Sequence, residues 1–199
     1  MGQQKLLMDS LKASEVNKAL MEQRKNLAKH WMKRTKDNQT KRAKTRKTIL
    51  NDRDRHDLGI LSIGNMYLYT YDALTKATLP YWDFYPLVLP YAYTKNGFYG
   101  LNLHYIPPRL RAQVLDEILR YKASGDLMHP TANLIKSLAQ HPMVQPAIHQ
   151  YLYSQIIGMP SKIDIEEWEQ VVYLPLAEWR SVSGKPSANK VYRDYSKRL

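Results

Sequence analysis

"YPLVLPYAYTKNGFYGLNLHYIPPRLR", Tyr85–Arg111, is the stretch whose reading decides the fold. Two tyrosine-rich apolar runs, Tyr85 to Tyr93 and Phe98 to Ile106, flank Thr94-Lys95-Asn96-Gly97, and Asn-Gly between alternating runs predicts a β-hairpin. In the second run Tyr99, Leu101, Leu103 and Tyr105 share one face, with Phe98, Gly100, Asn102 and His104 on the other. Pro86 and Pro90 are four residues apart, so both missing N–H groups lie on one side of the first strand. That side cannot carry a regular ladder, which predicts an edge strand. Pro107-Pro108 end the second strand, and the second proline suits the first turn of a helix. Leu110, Val114, Ile118 and Tyr121 continue that helix at its period as far as Ser124-Gly125.

Outward from the hairpin, Met66 to Tyr71 alternates, with Tyr67, Tyr69 and Tyr71 on one face, and Asp72 to Lys76 make a polar turn. Downstream, Pro130–Gln140 and Pro142–Ile157 read as two helices, the latter ending at Gly158-Met159-Pro160. Asp164 with Glu167 three residues on reads as a capping box for a short helix through Trp168. Val171 to Leu174 read as a last strand, stopped by Pro175. The expected fold is α+β: a small, strongly bent antiparallel sheet with a helical insertion before its last strand, closed as an SH3-like barrel.

Three segments are expected. Residues 1–56 form a basic helical arm and an extended linker, residues 57–180 the α+β body, and residues 181–199 a polar basic tail anchored by Tyr192 and Tyr195. In the arm no proline or glycine occurs from Lys5 to Asp37, and Val16, Leu20, Leu27 and Trp31 fall on one helical face. A break near Asp9-Ser10 would divide it into two helices. From Lys36 to Arg55 only Ile49 and Leu50 are large and apolar, so that stretch reads as an extended connector.

The charge is unevenly placed. The chain of 199 residues carries a formal +12, and residues 1–56 hold 16 of the 30 Lys/Arg and 6 of the 18 Asp/Glu, a net of +10. A nearly neutral body with a basic arm points to a polyanion, with a solvated tail or an acidic protein partner as alternatives. The candidate phosphate contacts are Lys25, Lys29, Lys33, Arg34, Lys36, Lys41, Arg42, Lys44, Arg46 and Lys47. The absence of cysteine excludes disulfides, thiolate metal sites and cysteine nucleophiles. No apolar run approaches the length of a membrane span, no signal-peptide core is visible, and Leu6 stands where a myristoylation motif needs Ser or Thr.

No zinc-ligand spacing occurs among His30, His56, His104, His129, His141 and His149. "NDRDRHD", Asn51–Asp57, clusters acids that could hold a divalent cation, but Arg53 and Arg55 alternate with them and a solvated hinge is the simpler reading. Phosphate-binding glycine loops and catalytic signatures are absent, so neither a cofactor nor a small-molecule substrate is expected. His104 beside Asn102 reads as a surface polar pair. Arg109 and Arg111 open a helix, where positive charge opposes the helix dipole unless an anion sits nearby. These two and His104 are therefore candidates for contact with an anion or a partner. Fifteen tyrosines against two phenylalanines suit surfaces with one dry and one wet side, either interfaces or stacking platforms.

Three blocks, "GNMYLYTYDALTKATLPYWDFYPLVLP", "NGFYGLNLHYIPPRLR" and "EEWEQVVYLPLAEW", resemble conserved parts of a virion protein family of T-even-type tailed phages (myoviruses), the DNA end protector or head-completion proteins. The resemblance covers about Asn65–Trp179. It implies a non-enzymatic protein, made in the host cytoplasm and carried in the virion, bound to double-stranded DNA ends and to other virion proteins. The arm lies outside the matched blocks, so its role in DNA binding rests on charge. A structural connector of the phage neck, tail or baseplate, its arm docked on neighbouring subunits, is the competing reading.

Overall fold

The computed structural model describes residues 6–49, 61–123, 129–174 and 179–197, without the side chains of 40–49, 122, 123, 129–131 and 188. In chain order the elements are α1 (Leu7–Val16), α2 (Lys18–Ile49), β1 (Met66–Tyr71), β2 (Trp82–Asp83), β3 (Leu87–Thr94), β4 (Gly97–Asn102), α3 (Pro108–Ala123), α4 (His129–Gln140), β5 (Ile148–Leu152), β6 (Ile156–Ile163), α5 (Trp168–Val172), β7 (Trp179–Arg180) and α6 (Ala188–Ser196). The fold is α+β, built on an antiparallel sheet of order β5-β4-β3-β1-β6, with β2 and β7 paired separately.

The hairpin forms as its turn residues predict, with Thr94 opposite Gly97 across Lys95-Asn96. Glycine is required at 97 because a Cβ there would stand 1.8 Å from the Tyr151 carbonyl oxygen of β5. Pro107-Pro108 end the run and seed α3, after Leu103–Tyr105 have wound into a short 3-10 turn instead of continuing the strand.

The edge-strand expectation for β3 is corrected: β3 is central, between β1 and β4. The prolines do lie on one side, the side facing β1, where the carbonyls of Pro86 and Pro90 accept from Tyr69 N–H and Gly64 N–H. The ladder to β1 is confined to Leu87 and Val88, between the prolines, so no donor is missing where pairing occurs.

The sheet is strongly bent but open; among the described residues no ladder joins its edges β5 and β6, so the barrel closure is corrected as well. A flat sheet would hold these edges roughly 19 Å apart at about 4.8 Å per strand. Yet only Tyr153–Gln155, one 3-10 turn, connects them. Even a fully extended chain of that length spans about 14 Å. The curl brings Tyr71 on β1 within 5.1 Å of Tyr151 on β5, ring centre to ring centre. Tyr67, Tyr69, Tyr71, Val88, Phe98 and Tyr151 fill the concave face as a second, aromatic core.

The opposite face buries Met66, Leu68, Leu87, Leu89 and Leu101 together with apolar residues of the helices. The arm supplies part of this core, through Leu7, Leu11, Ala28, Trp31 and Met32. Its break falls at Asn17, not at Asp9-Ser10, because the Asn17 side chain caps α2 by accepting from Leu20 N–H at 3.2 Å. The buried stripe of α2 follows Ala28, Trp31, Met32 and Gln39, while Val16 and Leu27 face solvent, so of the expected face only Trp31 is fully buried. The helix runs to Ile49, so most of the expected extended connector is helical and that expectation is corrected. The stretch 18–49 lacks glycine and proline and is rich in strong helix formers, which propagate a helix already anchored on the body. Residues 50–60, including "NDRDRHD" and its expected hinge, lie outside the described residues.

Three downstream expectations are corrected. The stretch Pro142–Ile157 is not helical but forms β5 and the start of β6, because Ile148–Leu152 pairs with β4 and Ile156–Ile163 with β1. Val171 and Val172 end α5 and do not begin a strand. The capping box is not made: Asp164 makes no side-chain cap, and Glu167 turns outward to accept from Trp31 Nε1 at 2.8 Å. In the tail, α6 docks through Val191 as well as Tyr192 and Tyr195.

Candidate nucleic-acid interface

The cations of α2 divide by what lies against them. On the body side, α5 and the turn before it present Glu167 and Glu169. Arg24 pairs with Glu169 and stacks 5.3 Å above the Tyr173 ring, and Arg34 stands 3.5 Å from Glu167. Lys36 lies half-buried, its Nζ 4.2 Å above the Tyr85 ring. Lys25, Lys29 and Lys33 point outward and are exposed. Spaced by four residues, they form one row along the helix, about 6 Å per step. Among the described residues Lys25 and Lys33 make no ion pair, and Lys29 reaches only Asn26 Oδ1 at 3.5 Å. The side chains of Lys41, Arg42, Lys44, Arg46 and Lys47 lie outside the described residues, although their backbone continues the same helix.

Arg109, Arg111 and His104, the other candidate contacts, are not brought together at the surface. Arg111 is fully buried, its guanidinium donating to the carbonyl oxygens of Val171 at 2.8 Å and Ile106 at 2.9 Å and to Tyr192 Oη at 3.2 Å. Burial pulls its pKa below the ordinary arginine value, with the Tyr192 oxygen and Asp83 opposing. An external anion has no access to it, so its place at the helix start is architectural. Arg109 is exposed but forms a two-pronged pair with Glu15 of α1, at 2.9 and 2.7 Å. The hydrogen bond from Arg109 holds the Glu15 carboxyl below its usual pKa, and Glu15 raises that of Arg109.

His104 is not a surface residue. It is 2% exposed, with Nδ1 2.7 Å from Asp83 Oδ2 and its backbone N–H bonded to Asn102 Oδ1. Asn102 Nδ2 donates to Asp83 and to Tyr151 Oη. Asp83, at the end of β2, is thus the hub of a buried polar network that reaches His104, Asn102 and, through Asn102, Tyr151 of the aromatic core. A solitary acid inside "PYWDFY" was the available signal, since a carboxylate among aromatics needs buried donors.

The tyrosine load is also mostly architectural. Tyr67 Oη accepts from Ser62 N–H, Tyr71 Oη from Leu152 N–H, and Tyr93 Oη donates to the Leu61 carbonyl. The rings of Tyr67 and Tyr71 fill the aromatic core while their hydroxyls tie down loops, which phenylalanine cannot do, and the half-exposed Tyr93 acts as a tether alone. Among the described residues no cluster of three or more metal-ligating side chains is placed to hold an ion, and no helix is long and apolar enough to cross a membrane.

The profile of one protein family, described as "Phage T4 terminal DNA protecting protein", matches residues 4–195. The match therefore takes in α1 and α2 as well as the sheet, beyond the three blocks that carried the resemblance. Neither a curated protein nor a solved structure matches the chain.

Proposed function

The chain belongs to the phage T4 terminal DNA protecting protein family, and from that premise we propose that it is a non-enzymatic virion protein of head completion that binds the end of packaged double-stranded DNA through α2. The observation that carries the assignment to α2 is the outward row Lys25-Lys29-Lys33, which makes no ion pair among the described residues while Glu167 and Glu169 engage the cations beside it. Phosphate neutralisation by such a row is strong, independent of sequence and dependent on salt, as protection of any DNA end requires. Lys36, and Lys41, Arg42, Lys44, Arg46 and Lys47 farther along the helix, extend the positive track in this reading. Arg34 is its flank.

A second reading rests on Val16 and Leu27, which are 91% and 52% exposed on the same two helices. An apolar surface beside a basic one also fits a connector docked on a neighbouring virion subunit in the neck, tail or baseplate. Competition between linear and relaxed circular duplexes of equal length, with full-length protein, separates the two. An end-binding protein prefers the linear form, and replacing Lys25, Lys29 and Lys33 with alanine weakens both bindings and flattens their salt dependence. Equal affinity for the two forms sinks the end-binding reading.

A further inference from the structure

Tyr91 and Tyr99, near the tip of the β3–β4 hairpin, stand apart from the tethering tyrosines. Their hydroxyls make no hydrogen bond among the described residues, and their rings lie together with centroids 6.4 Å apart and planes 30° apart. Tyr99 is 41% exposed, whereas Tyr67, Tyr69, Tyr71 and Tyr151 are buried. The pairing of β3 with β4 shifts between Pro90 and Ala92, which makes Tyr91 the extra residue of a bulge opposite Tyr99. A bulge re-aims the side chain it carries, here against the second ring. Across the next ladder Tyr99 faces the uncharged, exposed Gln150. Four residues before Tyr99, at most about 14 Å along the chain, the chain reverses at the exposed Lys95.

The strands that carry and flank this pair hold no acid. No Asp or Glu occurs from Phe84 to Leu115 or from Leu127 to Ile163, while Lys95, Arg109, Arg111, Lys136 and Lys162 do. These two stretches supply β3, β4, β5, β6 and α4, so the sheet from β5 to β3 is free of carboxylates in its strands. The acids after Ile163 begin at Asp164, and Glu167 and Glu169 among them face α2. An exposed aromatic ring, backed by a second, with a lysine at the same hairpin tip and no acid in the flanking strands, suits a flat, uncharged π-face with phosphate at its rim. Inside a duplex every base has both faces covered. Only the terminal base pair offers a free one.

We propose that Tyr99, supported by Tyr91, stacks on the terminal base pair of duplex DNA while Lys95 neutralises a phosphate of the terminal nucleotides. This assigns the element that recognises the end and rests on the DNA-end reading above, in which α2 supplies affinity without selecting ends. The test uses full-length protein and blunt duplexes carrying 2-aminopurine at the terminal pair or at the centre. Wild type is expected to change the emission of the terminal probe only. Tyr99→Ala should lose that change and bind ends roughly 5- to 100-fold more weakly, with circular-duplex affinity and thermal melting unchanged. Tyr99→Phe should retain both signals, and Lys95→Ala should lower the salt slope of end binding by about one. If wild type prefers ends and Tyr99→Ala keeps that preference, the end is met elsewhere and the assignment fails while the function stands. If wild type does not distinguish linear from circular duplex, the function beneath it fails as well.

Discussion

The carboxylate of Asp116, in the middle of α3, accepts the N–H of Leu7 at 2.7 Å and that of Met8 at 2.9 Å. A helix begins with four unpaired N–H groups and a partial positive charge, and here a buried acid from another element answers both. The arm is thereby fixed to the body at its first turn. Asp116→Ala should cost about 2–3 kcal/mol, in line with charge-assisted hydrogen bonds. Amide exchange over Leu7–Val16 should accelerate ahead of the rest of the protein. Unchanged exchange in α1 would show that the cap is not what holds it.

The same docking makes the arm inseparable from the body. Leu7, Leu11, Ala28, Trp31 and Met32 belong to the main core. A chain lacking residues 1–57 should therefore show no cooperative thermal transition, and Trp31→Ala should cost about 3–5 kcal/mol. A sharp melt of the shortened chain would contradict the shared core.

Arg111 should behave as a framework residue. Its guanidinium gathers α3, α5, α6 and the turn after β4 through Val171, Val172, Ile106 and Tyr192. Arg111→Met leaves those buried acceptors unpaired and should destabilise by about 3–5 kcal/mol. DNA affinity per folded molecule should not change. A specific loss of binding with normal stability would return Arg111 to the list of DNA contacts.

Alkaline stability should depend on the buried phenols. Burial pushes the Tyr195 hydroxyl up to about 12, and Tyr69 and Tyr151 well above 10. A raised folded-state value means that the stabilisation is complete below pH 10 and is lost as pH rises toward the folded value. Denaturation midpoints should therefore fall between pH 10 and about 12. Tyr195→Phe should flatten this fall by roughly 2–3 kcal/mol. It should cost little at neutral pH, because the Tyr195 hydroxyl makes no hydrogen bond among the described residues. An undiminished fall in the variant would place the alkaline sensitivity elsewhere.

Legibility in the sequence followed the range of the forces involved. The hairpin at Asn96-Gly97, the start of α3 at Pro108 and the alternation of Met66–Tyr71 are set by local geometry, and the structure shows all three. The central position of β3 depends on β1 pairing only between two prolines, which no local pattern announces. In Ile148–Ile163 apolar spacing fits either period, and strand pairing decided. The arm docks through a different face from the one its aliphatic spacing marks. Val16, Leu20 and Leu27 are branched aliphatic residues at helical spacing, but Ala28, Met32 and Gln39 lie on the face turned to the body. Of the candidate contacts, the exposure of Lys25, Lys29 and Lys33 follows from their spacing. The burial of Arg111 and His104 required knowing where Asp83, Val171 and Tyr192 come to rest.

The most direct test of DNA-end protection is digestion of a linear duplex by an end-dependent double-strand exonuclease in the presence of full-length protein. The wild type should leave the duplex intact at a protein concentration that only just saturates its ends. The Lys25→Ala/Lys29→Ala/Lys33→Ala variant should lose protection already at low salt, with the salt slope of binding lowered by about 2–3. Digestion at the rate of naked DNA, under conditions where the wild type is folded and binds circular duplex, would contradict the account.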